Sequence, residues 1–265
     1  MKKIGFIGCG NMGKSIAEAI SKDKNYQISI YSRNFERNKE FAKTIEATAY
    51  ETLKELLENS DYIILAVKPQ VLPSLYNQLL NYGQNKKWIS IAAGVPLRVL
   101  QNQLATDNIA RFMPNIAAKK QESVTAVAFV SNVDSNFKEI AFKIAECFGK
   151  AFILDEKLFS AFIGISGSGI AFIFEFLHAM ALGGTREGLS YSQSLDIAVS
   201  TLNSASCLLE NGVSPITLMT KVTSAGGTTI EGIKTLHDGK FDSTIINAVH
   251  SASKKSIELE KKAQL

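Results

Sequence analysis

Two short stretches of this 265-residue chain carry residue types whose spacing could do chemistry. Near the start, K-K-I-G-F-I-G-C-G-N-M-G sets Gly8, Gly10 and Gly13 in the order G-x-G-x-x-G, with Cys9, Asn11 and Met12 between them. Far along the chain, T-S-A-G-G-T-T at 223–229 sets the hydroxyls of Thr223, Ser224, Thr228 and Thr229 around Gly226 and Gly227. In the first stretch each glycine has its own task. Gly8 permits a tight turn, Gly10 lets backbone approach a pyrophosphate, and Gly13 lets a helix pack closely on a strand. An apolar run precedes them, and an amphipathic run with Met12, Ile16, Ala19 and Ile20 follows, which is the strand, turn and helix that dinucleotide binding requires. Free N–H groups and partial positive charge at the helix start would hold the phosphates.

The second stretch precedes the helical pattern I-E-G-I-K-T-L, so the N–H groups of Gly227, Thr228 and Thr229 form an anion site at a helix start. A β-carbon at either glycine would hold an anion off the backbone, and the hydroxyls of Ser224, Thr228 and Thr229 add donors. An ordinary N-cap accounts for one hydroxyl, not four within seven residues.

At the end of the second strand, a domain that takes NADH usually places Asp or Glu to accept from the ribose 2′-hydroxyl. This chain has Ser32, Arg33 and Asn34 there. A carboxylate would repel a 2′-phosphate, whereas hydroxyl, guanidinium and amide can donate to one, so NADPH is expected first and NADH second.

The elements that must position these groups are legible as alternation. Strand signals recur at 27–31, 62–67, 88–92, 108–112 and 124–130, with helical patterns at 35–43, 53–57 and 136–148 between them. That order predicts an α/β doubly wound (Rossmann) domain over 1–155. Strand signals then stop, and the periodicity of 191–209 and 240–262 predicts an all-α C-terminal dimerisation domain over 156–265. The most apolar segment, 170–182, spans 13 residues and carries Glu175 and His178, which predicts a helix buried inside protein and not a bilayer span. An all-apolar helix in so small a helical domain needs partners, and a second copy would supply them.

Lys and Arg number 29 against 25 Asp and Glu, scattered with no basic stripe, which argues against nucleic acid as a partner. Cys9, Cys147 and Cys207 have no paired spacing, so neither disulfides nor a metal site is expected. Met1-Lys2-Lys3 runs straight into a strand without an export signal, and a cytoplasmic location follows as the expectation.

Six blocks in order, G-C-G-N-M-G, A-V-K-P-Q at 66–70, S-I-A-A-G-V at 90–95, R-F-M-P-N at 111–115, S-G-S-G-I-A-F at 166–172 and T-S-A-G-G-T-T-I at 223–230, resemble pyrroline-5-carboxylate reductase. The resemblance implies reduction of a cyclic imine carboxylate to L-proline, the last step of proline biosynthesis, by a dimer or an assembly of dimers. It implies that Ser224, Gly226, Gly227, Thr228 and Thr229 bind substrate, and that Thr229 is the catalytic hydroxyl nearest the imine nitrogen. It also assigns Ala66, Val67, Lys68 and Pro69 to a loop under the dinucleotide, and Ala92, Ala93 and Gly94 to its nicotinamide end. Glu156 resembles an acidic position before the helical domain, although a helix-start or surface carboxylate explains it as well.

The chain departs from the family where prolines are usual: Ile170, Ala225 and Ala117 stand at those places. Lost prolines would loosen the substrate loop. Two other readings compete. G-I-S-G-S-G at 164–169 superficially copies the β-hydroxyacid dehydrogenases, whose chemistry needs a lysine and an asparagine where this chain has Ile173 and then Phe176 and Leu177. A non-catalytic NADPH-binding protein is the third.

Overall fold

The computed structural model of the protein describes residues 1–209 and 212–263. The chain divides into two units, residues 1–167 with the end of the chain from Ala252, and residues 168–251.

In the first unit, short apolar runs make strands and amphipathic runs between them make helices: β1 (Lys2–Ile7), α1 (Asn11–Ser21), β2 (Tyr26–Tyr31), α2 (Phe35–Thr44), β3 (Thr48–Ala49), α3 (Leu53–Glu58) and β4 (Tyr62–Leu65). There follow α4 (Tyr76–Tyr82), β5 (Lys87–Ser90), α5 (Leu97–Leu104), β6 (Ile109–Met113), β7 (Ser123–Phe129), α6 (Ser135–Glu146), β8 (Gly149–Ile153) and the short α7 (Phe159–Phe162). The strands form one sheet in the order β3-β2-β1-β4-β5-β6-β7-β8. Every neighbouring pair is parallel except β6 and β7. Because side chains alternate along a strand, β1 sends Ile4 and Phe6 into one apolar cluster with Ile16 and Ile20 of α1, and Ile7 into the other with Leu56 and Leu57 of α3. Burying each such side chain contributes about 2 kcal/mol, and helices on both faces are what a parallel sheet needs.

The expected strands and helices of this unit are present with shifted ends. Absent from the sequence reading were the edge strands β3 and β8 and the helices α4 and α5. β3 has only two residues, too few to alternate. β8 begins at Gly149, where φ is +143° and any side chain would collide with the backbone of Ser123.

The second unit is helical, built of α8 (Gly169–Arg186), α9 (Tyr191–Leu208), α10 (Pro215–Val222), α11 (Thr228–Asp238) and the first half of α12 (Phe241–Ala263). Ser190 and Gln193 cap α9 reciprocally. α8 packs on α9, and Gly184 lets the two approach at Ser194. Within the single chain α8 buries only Gly169, Leu177 and Ala181, while Phe174 is 65% and Leu182 51% exposed, so the chain itself covers only part of the helix expected to be buried. The helical run also extends beyond 170–182 to 31 residues, Glu156–Arg186, which by length and composition alone could cross a bilayer. The physical reason is that α9 covers one stripe of a helix that is apolar nearly all round.

Candidate functional site

A doubly wound sheet leaves a crevice where the chain, after β1, goes to β2 on one side and later to β4 on the other. Here that crevice has a volume of about 660 Å³. Its floor is the turn after β1, its walls the segments after β2 and β4. It brings together Gly8, Cys9 and Gly10, Ser32, Arg33 and Asn34, and Ala66, Val67 and Lys68 from the sequence-derived set. Asn11, Met12 and Gly13 form the first turn of α1, and Pro69 opens the 3-10 turn that follows Lys68. Ala92, Ala93 and Gly94 follow β5 and do not line the crevice.

The glycines test whether a dinucleotide fits. Gly8 has φ +98°, and a β-carbon there would meet Val67 at 2.7 Å and the Ala66 backbone at 2.8 Å. At Gly13 it would meet Ala66 Cβ and the Gly8 carbonyl, each at 3.0 Å. Both glycines answer to the protein's own packing. Gly10 does not: a β-carbon there meets no protein atom within 4 Å. Gly10 is also the N-cap of α1, with no side chain capping the helix, so the first-turn amides face open space. A pyrophosphate fits that vacancy and those donors.

Sequence reasoning missed Arg37 and Asn38. Arg37 lines the crevice from the first turn of α2; burial raises the Cys9 thiol above its usual value, and the charges of Lys14 and then Arg37 oppose it. Asn34 accepts from the Arg37 N–H at 3.0 Å and so caps α2. The fully buried Asn38 accepts from the Ser32 hydroxyl at 2.7 Å and donates to the Ser32 carbonyl at 3.2 Å. The only advance signal was polarity at 38 on a helix otherwise read by its apolar positions.

In the second unit, α11 opens on Gly227 after a turn in which Gly226 has φ +66° and Gly227 N–H donates to the Ser224 carbonyl at 3.1 Å. No side chain caps α11. Thr223 donates back to Met219 in α10. Among the described residues, the hydroxyls of Ser224, Thr228 and Thr229 take part in no intramolecular hydrogen bond, and all three residues are exposed. Ala225 lies in this turn, exposed.

Glu156 occupies neither stretch. It opens a 3-10 turn, accepts from the Leu97 N–H at the start of α5 at 2.8 Å, and pairs with the buried Arg111 at 2.6 Å. Glu260 takes the same Arg111 nitrogen at 2.9 Å. Asn115 is buried, donates to Ser166 and accepts from Ala117 N–H, so the block R-F-M-P-N serves packing at both its ends. His178, expected buried, is exposed and bonded to the Tyr191 hydroxyl at 2.8 Å.

A family model described as pyrroline-5-carboxylate reductase dimerisation matches residues 156–259, and one described as NADP oxidoreductase, coenzyme F420-dependent, matches residues 3–94. The pyrroline-5-carboxylate reductase of Methanosarcina acetivorans is 37% identical over 269 residues, covering 98% of this chain and 99% of its own. That of Aquifex aeolicus is 34% identical over 259 residues, covering 97% of each. Among solved structures, the pyrroline-5-carboxylate reductase of Coxiella burnetii superposes with a TM-score of 0.90 at 27% identity over 97% of each chain. The Plasmodium falciparum pyrroline carboxylate reductase, solved with NADP bound, superposes with a TM-score of 0.84 at 26% identity over 98% of each. Fold, crevice and full-length similarity agree, and the chain belongs to the pyrroline-5-carboxylate reductase family of oxidoreductases, which reduce a cyclic imine in proline biosynthesis.

Proposed function

We propose that this protein reduces 1-pyrroline-5-carboxylate to L-proline, using NADPH in preference to NADH, as a cytoplasmic homodimer or an assembly of dimers. The observation that carries the reading is the uncapped start of α11, where open amides and three uncommitted hydroxyls surround Gly226 and Gly227. A helix start left without a side-chain cap is prepared for an anion, and the substrate's carboxylate is one.

The bound reduced nicotinamide would supply the hydride for the imine carbon. The amides of Thr228 and Thr229 grip the carboxylate, the Gly227 N–H expected beside them being committed to the Ser224 carbonyl, and Ser224 and Thr228 add hydroxyl donors. Thr229 orients the imine nitrogen and relays a proton to it. A threonine hydroxyl is too weak an acid to be the source near neutral pH, so solvent water protonates the imine. In the crevice, the first-turn amides of α1 hold the pyrophosphate beside Gly10, while Lys68 and the two arginines face its charge. Ala92, Ala93 and Gly94 are assigned to the nicotinamide end by family resemblance.

The exposed apolar side chains of α8 support the dimer, since the matched dimerisation model includes them. Alcohol oxidation is disfavoured because Ile173, Phe176 and Leu177 offer no base or amide.

The test is to incubate purified protein with NADPH and the cyclic imine acid, following nicotinamide absorbance and proline formation. Turnover of the imine supports the reading. Oxidation of a β-hydroxyacid instead would favour the dehydrogenase, and no turnover of either would favour a binding protein.

A further inference from the structure

The direction of one buried hydrogen bond decides what Ser32 can offer a cofactor. Asn38 lies on α2 at 1% exposure and makes two bonds to Ser32. Its Nδ2 donates to the Ser32 carbonyl oxygen, which can only accept. Turning the amide over would set two acceptors face to face, so the orientation is chemically fixed. Its Oδ1 then lies 2.7 Å from Ser32 Oγ, and because a carbonyl cannot donate, the serine hydroxyl must. The one proton of Ser32 is therefore spent inside the protein, leaving only lone pairs toward the crevice that Ser32 lines.

We infer that Ser32 is an acceptor for a ribose 2′-hydroxyl, held so by Asn38 as a positioning residue, and that selectivity for a 2′-phosphate is carried by Arg33 and Arg37. The inference rests on the nicotinamide-cofactor reading and corrects the expectation that Ser32 donates to a phosphate. Where many NADH sites place a carboxylate as acceptor, this chain places a neutral oxygen. A neutral acceptor takes a bond from the hydroxyl of NADH without the charge repulsion that a carboxylate directs at the phosphate of NADPH. Arg33 and Arg37 both line the same crevice, and the Asn34 side-chain oxygen is occupied as the cap of α2. The guanidinium groups thus supply the charged donors there. Such a site is built to accept both cofactors, with the two functions on separate residues.

The experiment measures equilibrium binding of NADPH and of NADH to purified protein without substrate, by fluorescence of the reduced nicotinamide. Ser32→Ala should raise the ratio of Kd for NADH to Kd for NADPH about threefold to tenfold, by weakening NADH, as expected for one neutral hydrogen bond. Asn38→Ala frees the Ser32 hydroxyl to turn and donate, and should raise the same ratio by tightening NADPH. Arg37→Gln should lower it. An unchanged or lowered ratio in Ser32→Ala overturns the inference, since Ser32 would then touch neither 2′-group or would donate to the phosphate. If Asn38→Ala fails to fold, Ser32→Ala still decides. A wild-type chain that binds neither dinucleotide overturns the cofactor reading itself, and this inference with it.

Discussion

The guanidinium of Arg111 in β6 donates to the carboxylate of Glu156, 45 positions later, at 2.6 Å, and lies 5.0 Å from the ring centre of Phe159. Arg111 is only 2% exposed, and its second carboxylate partner, Glu260, comes from the far end of α12. Removing either carboxylate leaves the buried guanidinium with one partner in place of two. Glu156→Ala should therefore cost about 3 kcal/mol of stability, some of it from the Leu97 N–H that loses its acceptor. Glu260→Ala should cost less, about 1 to 2 kcal/mol, because Glu260 holds only the guanidinium, at the longer distance, whereas Glu156 also accepts from the Leu97 N–H. Urea midpoints at constant slope would check both, and equal losses would contradict the ordering.

Thr229→Val removes a hydroxyl and keeps the shape. It should lower kcat/KM for the imine acid by about fivefold to thirtyfold, a loss of about 1 to 2 kcal/mol in the transition state. Cofactor binding should be unaltered. Steady-state kinetics with imine as the varied substrate give the answer, and wild-type values would remove the assigned role.

Gly8→Ala and Gly10→Ala should separate folding from binding. At Gly8 the new methyl collides with Val67 and the backbone has φ +98°, so thermal stability drops and dinucleotide binding goes with it. At Gly10 the backbone is extended, φ −73° and ψ −175°, and no protein atom lies near. Gly10→Ala should keep its melting temperature yet bind NADPH about tenfold more weakly or worse, at 1.4 kcal/mol per tenfold. Calorimetry and nicotinamide fluorescence measure the two effects.

The alkaline limit of stability has identifiable sources. Burial, then Asp23 and Glu146, pushes the Cys147 thiol from 9.0 up to about 11. Burial first, with Cys147, Asp23, Tyr62 and Glu146 adding to it, pushes the Tyr26 hydroxyl from 10.0 up to about 12. Both groups hold their protons more tightly when folded, so the unfolded chain releases them first as pH rises. Their stabilisation is complete below pH 9 and is lost progressively up to about 11 for Cys147 and about 12 for Tyr26. Denaturant midpoints across that range should fall, and Cys147→Ser should flatten the lower part of the decline.

Phe174→Glu on α8 should convert a dimer to monomer. Phe174 is 65% exposed in the single chain, so the charge costs the isolated fold little but is desolvated in an apolar interface. Light scattering at micromolar concentration would read a halved mass, and an unchanged mass would place the interface elsewhere.

The parts of this molecule legible in its sequence are those that depend on neighbours in the chain. The turn at Gly8 and Gly10 and the strand–helix alternation have their causes within a few residues. So does the open start of α11. Asn38 was not legible because F-E-R-N-K-E-F-A-K reads as a solvated helix face, and only the fold turns that one amide inward against Ser32. Arg111 opens the block R-F-M-P-N, but its partners sit 45 and 149 positions away, beyond any periodicity. That α8 needs a partner was legible because its composition is apolar all round, but how many of its sides the same chain covers was not.

Ala117 stands where the family resemblance leads to an expectation of proline, and its N–H donates to the Asn115 side chain at 3.1 Å, a bond no proline could make. A pyrrolidine ring fixes a torsion permanently, whereas this contact opens and closes with thermal agitation. The loop after β6 thus has an exchangeable clasp in place of a covalent one, and its stiffness should fade on warming before the surrounding sheet melts.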